Sequence, residues 1–211
     1  MKKAKIGISL RIMNAHNYNE YRDALSHDWI EFFEKLNFIP ILIPNKIKNL
    51  SEFLDEFDLN GLILSGGDNL GDFPERDHTE KLILDYGIKN NLPIFGVCRG
   101  MQIINNYFGG TVIHTSDQKH VDKSHDVNIV NSFNHKILEL KSITVNSFHN
   151  NIINSDNLGN DLEPFALSND NTIEGFFHKS LSIVGVMWHP ERSQNEINQE
   201  ILRKVFHRTN F

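Results

Sequence analysis

Short apolar runs bounded by turn residues alternate with longer stretches of helical spacing through the first half of the chain. Residues 5–10, 38–43, 61–64 and 93–97 are apolar runs of the length of buried strands. Between the first two, 18–36 places Leu25, Trp29, Phe32, Phe33 and Leu36 on one broad face, which predicts a helix. Segments 50–57 and 75–89 predict two more. A fourth is expected over 99–108, where Met101, Ile104, Tyr107 and Phe108 recur at helical spacing before Gly109 and Gly110 stop it. The residues between Arg11 and the first helix are polar and rich in His and Asn, and read as a loop. Strands and helices in this alternation predict βαβ units and a parallel sheet. Ligands in such sheets gather beyond the carboxyl ends of the strands. Arg11, the Ser65-Gly66-Gly67 turn and Cys98 all stand at such ends.

After Gly110 the texture changes. Segments 111–114, 126–130 and 143–145 are short strand-like runs separated by polar loops, and 146–151 is rich in turn residues. Segments 164–168 and 172–178 predict a hairpin around Asn169, Asp170 and Asn171. Residues 181–188 form one more strand, ending in His189-Pro190-Glu191. Residues 195–208 predict a closing amphipathic helix with Ile197, Ile201, Leu202, Val205 and Phe206 inward. The expected fold class is α/β, with a mixed, mostly parallel central sheet flanked by helices in a flavodoxin-like arrangement. One domain is expected to span 1–211.

Composition narrows the function classes. A formal net charge of -6 argues against gripping nucleic acid by bulk electrostatics. A single cysteine excludes an intramolecular disulfide framework and fits a reducing compartment, so a cytoplasmic location is expected. The start, MKKAKIGISLR, is too short in apolar residues for a signal peptide, and no apolar run approaches the ~20 residues of a membrane helix. No cofactor motif is present. His114, His120 and His125, with Asp117, Asp122 and Asp126, match no standard zinc spacing and read as a solvated loop near the site, so no metal is expected.

The candidate chemistry centres on Cys98. A lone cysteine is most often a small buried hydrophobe. Here it sits between a strand and a helix, with Gly96 and Gly100 two residues to either side. That is the pattern of a nucleophile elbow with Cys in place of Ser. The strained turn leaves no room for flanking side chains, and the helix N-terminus behind it favours the thiolate. His189 and Glu191 are the candidate base and its orienter: in extended backbone, residues i and i+2 project to the same side, and Pro190 restricts the link. His-Pro-Glu alone is an ordinary loop more often than not, but the elbow changes that weighting. Gly66 and Gly67 free backbone N–H groups to face a ligand oxygen, and with the N–H of Arg99 they make a candidate oxyanion hole. Arg11, Arg76 and Arg99 are candidate anion contacts against a default of surface solvation, and Arg11 and Arg76 are expected near the leaving group. The reaction class that follows is attack of a thiolate on a carboxamide and hydrolysis of the resulting thioester.

GVCRGMQ, the later GVMWHPE and the preceding LSGGDN resemble the class I glutamine amidotransferase superfamily, in the same order and over nearly the whole chain. CRGMQ together with VNSFHNN and TIEGF is similar to its γ-glutamyl hydrolase branch, the C26 peptidases, whose members often read His-Gln where this chain has Asn150-Asn151. The resemblance implies Cys98, His189 and Glu191 as a catalytic triad and Gly67 and Arg99 as oxyanion donors. It implies that Gln102 and the turn of Asn146, Ser147, Phe148 and His149 hold the glutamyl moiety. The implied partner is a small γ-glutamyl amide. Its leaving group stays open among a nucleotide-linked amidate of capsule modification, an aminobutyrate-type amine, and ammonia delivered to a synthase. A non-catalytic binding protein on the same fold is the remaining alternative.

Overall fold

The computed structural model describes residues 2–115, 121–130, 141–193 and 195–206, apart from the side chains of 121–123. In chain order the strands are β1 (Ala4–Ser9), β2 (Arg11–Asn14), β3 (Tyr21–Ala24), β4 (Phe38–Ile43), β5 (Gly61–Leu64), β6 (Ile94–Val97), β7 (Ile113–His114), β8 (Val121–Ile129), β9 (Ser142–Phe148), β10 (Asn151–Ile152), β11 (Leu162–Ser168), β12 (Ile173–His178) and β13 (Ile183–Val186). The helices are α1 (His27–Leu36), α2 (Leu50–Asp55), α3 (Pro74–Lys89), α4 (Arg99–Tyr107) and α5 (Glu196–Phe206).

The main sheet runs β4-β1-β5-β6-β13-β12-β11-β8-β9. Its first five strands pair in parallel, and the remaining four continue by antiparallel pairing. Since only β12 and β8 reverse direction, seven of the nine strands point the same way. This is the mixed, mostly parallel sheet flanked by helices that the alternation of runs predicts.

Strand alternation sends side chains to two apolar layers. Ile63 of β5 joins Ile6, Ile8, Phe95 and Val97 against α1 and α5, where Trp29, Phe32, Phe33, Leu202 and Phe206 lie. Its neighbours Leu62 and Leu64 face the other way, toward α2, α3 and α4 with Leu54, Ile83, Leu84, Met101 and Ile104. Parallel strands covered on both faces read as unbroken apolar runs, which is why these were legible. Among the described residues no helix is long and apolar enough to cross a membrane.

Three expectations change. The first helix starts at His27, not near residue 18, because Ser26 caps it by accepting a hydrogen bond from the Asp28 N–H at 3.3 Å. The residues before it form β3, which pairs with β2 as a hairpin where a loop was expected. The turn expected at 146–148 is instead the end of β9, paired with β8 from Phe148 back to Ser142. That pairing also places His125 and Asp126 on a strand rather than in a solvated loop. His120 and Asp117 lie outside the described residues, as does the Asp122 side chain. Among the described residues no cluster of His, Cys, Asp and Glu is placed to hold a metal ion.

Candidate active site

Cys98 joins β6 to α4 with φ +50° and ψ −105°, a backbone conformation that L-residues rarely adopt and that costs ~1–3 kcal/mol. The sheet holds it there: the Cys98 N–H donates to the Val186 carbonyl at 2.8 Å, and its own carbonyl accepts from the Gln102 N–H at 3.1 Å. Helix α4 approaches β5 so closely that a Cβ on Gly100 would lie 2.0 Å from the Leu64 carbonyl oxygen. That is the close approach expected of an elbow glycine.

His189 follows β13, and Glu191 sits in the 3-10 turn Pro190–Arg192. The turn, rather than extended backbone as expected, folds Glu191 back so that its Oε1 lies 2.7 Å from His189 Nδ1. Cys98 borders the other side of the imidazole, close enough that each group's charge shifts the other. A Cβ on Gly66 would stand 2.6 Å from His189 Cε1, so only glycine lets the ring settle there. Trp188, the residue before His189, is buried and donates through Nε1 to Asn198 Oδ1 at 3.0 Å, tying this end of β13 to α5.

The electrostatics favour an ion pair. Burial pushes the Cys98 thiol up. The hydrogen bond and charge of His189, the charge of His149 and the Arg99 backbone N–H outweigh it, leaving the thiol below its ordinary value. Burial pulls His189 down, but hydrogen bonds to Cys98 and Glu191 and their charges raise it to about 9. Both shifts favour the thiolate–imidazolium pair over the neutral one.

The expected glutamyl-holding residues divide. The alternation of β9 turns Asn146 and Phe148 to one face and buries Ser147 on the other. Asn146 clamps the His189 backbone, donating through Nδ2 to its carbonyl and accepting its N–H through Oδ1, both at 2.8 Å. Asn146 thereby positions the His189 backbone, using one of its two Nδ2 hydrogens and one Oδ1 lone pair. Phe148 is 41% exposed and stands edge-on to the His189 ring at 5.9 Å. His149 is buried, with Nδ1 2.8 Å from the Asn151 carbonyl and Nε2 3.7 Å from Glu174 Oε1. Burial lowers its pKa, while Glu174, Cys98 and the Asn151 carbonyl raise it to a net upward shift. Gln102 is buried too, and its Oε1 accepts from Asn151 Nδ2 at 3.2 Å. Asn151 also donates to Asn69 Oδ1 at 3.0 Å and meets His114 Nδ1 at 3.0 Å, so it ties the β7–β10 pair to the loop of Asn69 beside Gln102.

Arg76 and Arg99 are not open to an incoming anion. Arg76 is fully buried and donates to Glu80, Asp68, the Ser65 and Gly66 carbonyls and the Ser65 hydroxyl. The Arg99 side chain is buried against Glu80 and Asp77. Both guanidinium groups are buried and ion-paired within the protein, with Arg99 Nε alone left without an acceptor among the described residues, which corrects the expectation that these side chains are open anion contacts. They support the Gly66-Gly67 loop and the start of α4 instead. Burial lowers the Arg76 pKa, opposed by Glu80. Arg11 alone of the three keeps an open face: it pairs with Asp68 at 3.0 Å and lies against Gly67. It lines a cleft beside His189 that also takes in Ser26, Gly66, Gly67 and Arg192.

Sequence reading missed Glu80, Glu174, Asn151 and Arg192. Two carried a signal: Glu80 follows Arg76 by four residues on a helix, and Glu174 is a charge inside an apolar strand. Asn151 and Arg192 carried none.

A family model described as Peptidase C26 matches residues 5–191. The chain is 33% identical to a gamma-glutamyl-CDP-amidate hydrolase of Campylobacter jejuni over 95% of this chain and 96% of that one. It is 30% identical to a glutamine-hydrolysing GMP synthase subunit of Methanococcus aeolicus, covering 77% of this chain and 80% of that one. Among solved structures it is similar to a candidate GMP synthase subunit of Thermoplasma acidophilum. That match has a TM-score of 0.75 and 27% identity, over 98% of this chain and 94% of that one.

Two outcomes are expected. Glu80→Gln leaves two buried guanidinium groups without their shared counter-charge and should cost ~3–5 kcal/mol, lowering Tm by about 6–20 °C in a thermal melt; an unchanged Tm would remove the network from the stability of the fold. Alkylation of Cys98 by iodoacetamide should set in below the ordinary thiol value of about 8.5, because the thiol is lowered and His189 is raised to about 9. In His189→Asn the burial penalty remains without its largest offset, so the alkylation profile should move to higher pH; superimposable profiles would contradict the ion pair.

Proposed function

The chain belongs to the Peptidase C26 family, and on that premise we propose that it hydrolyses γ-glutamyl amides through a thioester on Cys98, releasing glutamate. The observation that carries this reading is the arrangement at the elbow. Cys98 sits strained between β6 and α4, beside a His189 whose charge lowers the thiol's pKa and whose Nδ1 lies 2.7 Å from Glu191.

The Cys98 thiolate attacks the γ-carbonyl carbon, and the carbonyl oxygen takes up the negative charge. The backbone N–H of Arg99, already directed at Cys98 Sγ, and that of Gly67 are the donors for this oxyanion. As the C–N bond breaks, His189 gives its Nε2 proton to the departing nitrogen and the γ-glutamyl thioester remains. Neutral His189 then takes a proton from water, the hydroxide attacks the thioester, and glutamate leaves as the thiolate re-forms. Glu191 holds the imidazole in one tautomer and stabilises its charged form.

The best specific substrate is γ-glutamyl-CDP-amidate, giving glutamate and cytidine diphosphoramidate for capsule modification. The Campylobacter jejuni relative, similar over nearly its whole length, supports it. A second reading, a glutaminase supplying ammonia to a synthase, draws on the likeness to GMP synthase subunits. Free glutamine separates the two: the hydrolase reading predicts a poor substrate, the glutaminase reading a good one.

Turnover of a γ-glutamyl amide tests the roles. Cys98→Ala should abolish it while circular dichroism stays unchanged. His189→Asn should reduce kcat by roughly 10²–10⁴-fold, and Glu191→Gln by less. Appreciable activity in Cys98→Ala, or a larger loss at Glu191 than at His189, would overturn the assignment.

A further inference from the structure

The group that receives the proton from His189 must lie beside His189, so the leaving half of the substrate belongs in whatever space adjoins that ring. A cleft lined by Arg11, Ser26, Gly66, Gly67, His189 and Arg192, with Glu191 at its wall, adjoins that ring. Two guanidinium groups flank it, from different parts of the chain. Arg11 begins the β2–β3 hairpin and lies over Gly67, with its Nε unpaired among the described residues. Arg192 closes the turn that carries Glu191.

Arg192 is the less committed of the two. Its Nε stands 3.9 Å from Asp28 and 3.8 Å from Glu191, both beyond hydrogen-bonding distance. Its guanidinium rests over the Phe148 ring at 5.1 Å from the centroid. A cation held in place by an aromatic face, with its donors unspent, is preorganised for an anion. Asp68, the remaining acid near the cleft, is already neutralised by Arg11 and Arg76. Leu25 and Trp29 add an apolar wall beside the two cations.

We propose that Arg192 and Arg11 form the leaving-group subsite of this cleft and select γ-glutamyl amides whose nitrogen is attached to a phosphoryl or diphosphoryl group. The proposal rests on the hydrolase reading above and adds the residues that select within it. Two guanidinium forks facing one cleft suit the several oxygens of a diphosphate, each able to take two parallel hydrogen bonds. A neutral amine gains no charge-assisted contact from either cation, which gives the site its discrimination. The overall charge of -6 makes a local cationic pair more necessary for such a substrate, since the rest of the surface repels it.

The probe is inorganic pyrophosphate, competing against hydrolysis of γ-glutamyl-p-nitroanilide, whose leaving group is neutral. Pyrophosphate should inhibit the wild type competitively. R192Q should raise its inhibition constant roughly tenfold or more, the loss of a charge-assisted contact, and R192K should recover part of that loss. R11Q carries the same expectation and serves where R192Q does not fold. An inhibition constant unchanged in both variants, or no competition in the wild type, overturns the subsite while leaving the hydrolase reading intact. Calorimetric titration with pyrophosphate separates the opposite failure. If the wild type does not cleave the anilide yet binds pyrophosphate in an Arg192-dependent way, the subsite stands and the hydrolase reading falls.

Discussion

A carboxylate shared by two buried guanidinium groups holds the catalytic end of this molecule together. Glu80 accepts from Arg76 through Oε1 and from Arg99 through Oε2, and takes a further hydrogen bond from the Ser9 hydroxyl at 2.8 Å. One side chain thus joins α3 to β1 and to the first residue of α4. Arg76 extends the network to the Ser65 and Gly66 carbonyls, which orients the loop facing His189. Ser9 and Ser65 exchange two more bonds across the ends of β1 and β5, at 2.9 and 2.8 Å. Burying three charges is costly, and the desolvation is offset only where the hydrogen bonds are nearly complete. Such a network tolerates little displacement, which fixes the Gly66-Gly67 loop and the start of α4 relative to one another.

The elbow relies on that rigidity. Cys98 occupies a conformation the backbone resists, and the surrounding ladder and helix contacts over-determine it. Strain of this kind persists only where neighbouring structure is stiff. β6 is central to the sheet, between β5 and β13, and buried on both faces. The position also keeps the thiol almost out of water, which strengthens its interaction with His189. Glu191, Asn146 and Phe148 each constrain His189 differently: one through the ring nitrogen, one through the backbone, one through the ring edge.

Charge is distributed unevenly about Cys98. On one side the buried His149 lies near Glu174, which His125 also approaches at 3.7 Å. On the other, the cleft past His189 is bordered by Arg11 and Arg192. One fold hosts different functions through what borders its site. The chemistry is set by the strand-to-helix turn, and the choice of amide by side chains on loops and hairpins that the turn does not constrain.

The order of strands and helices in the first half was legible because each parallel strand is buried on both faces and each helix carries one apolar stripe. The elbow was legible for a related reason: a Gly-x-Cys-x-Gly frame between a strand and a helix is a local pattern, and its demand for small neighbours acts over two residues. The proximity of His189 to Glu191 was equally local. Position 18 misled as a helix start because the cap at Ser26 and the pairing of β3 with β2 outweighed the apolar spacing. Arg76, Arg99 and Asn146 were identified as site residues, but their targets were not. A guanidinium or an amide binds whatever acceptor the fold brings near, and here those acceptors are Glu80, two loop carbonyls and the His189 backbone, between 10 and 43 residues away apart from Glu80 on the same helix as Arg76. Arg192 became significant only when the turn after β13 set it across from Arg11. Local pattern thus determined the strained strand-to-helix position of Cys98 and the pairing of His189 with Glu191. Long-range packing alone decided which charged side chains are spent on structure and which remain for a ligand, because that division depends on partners distant in the chain.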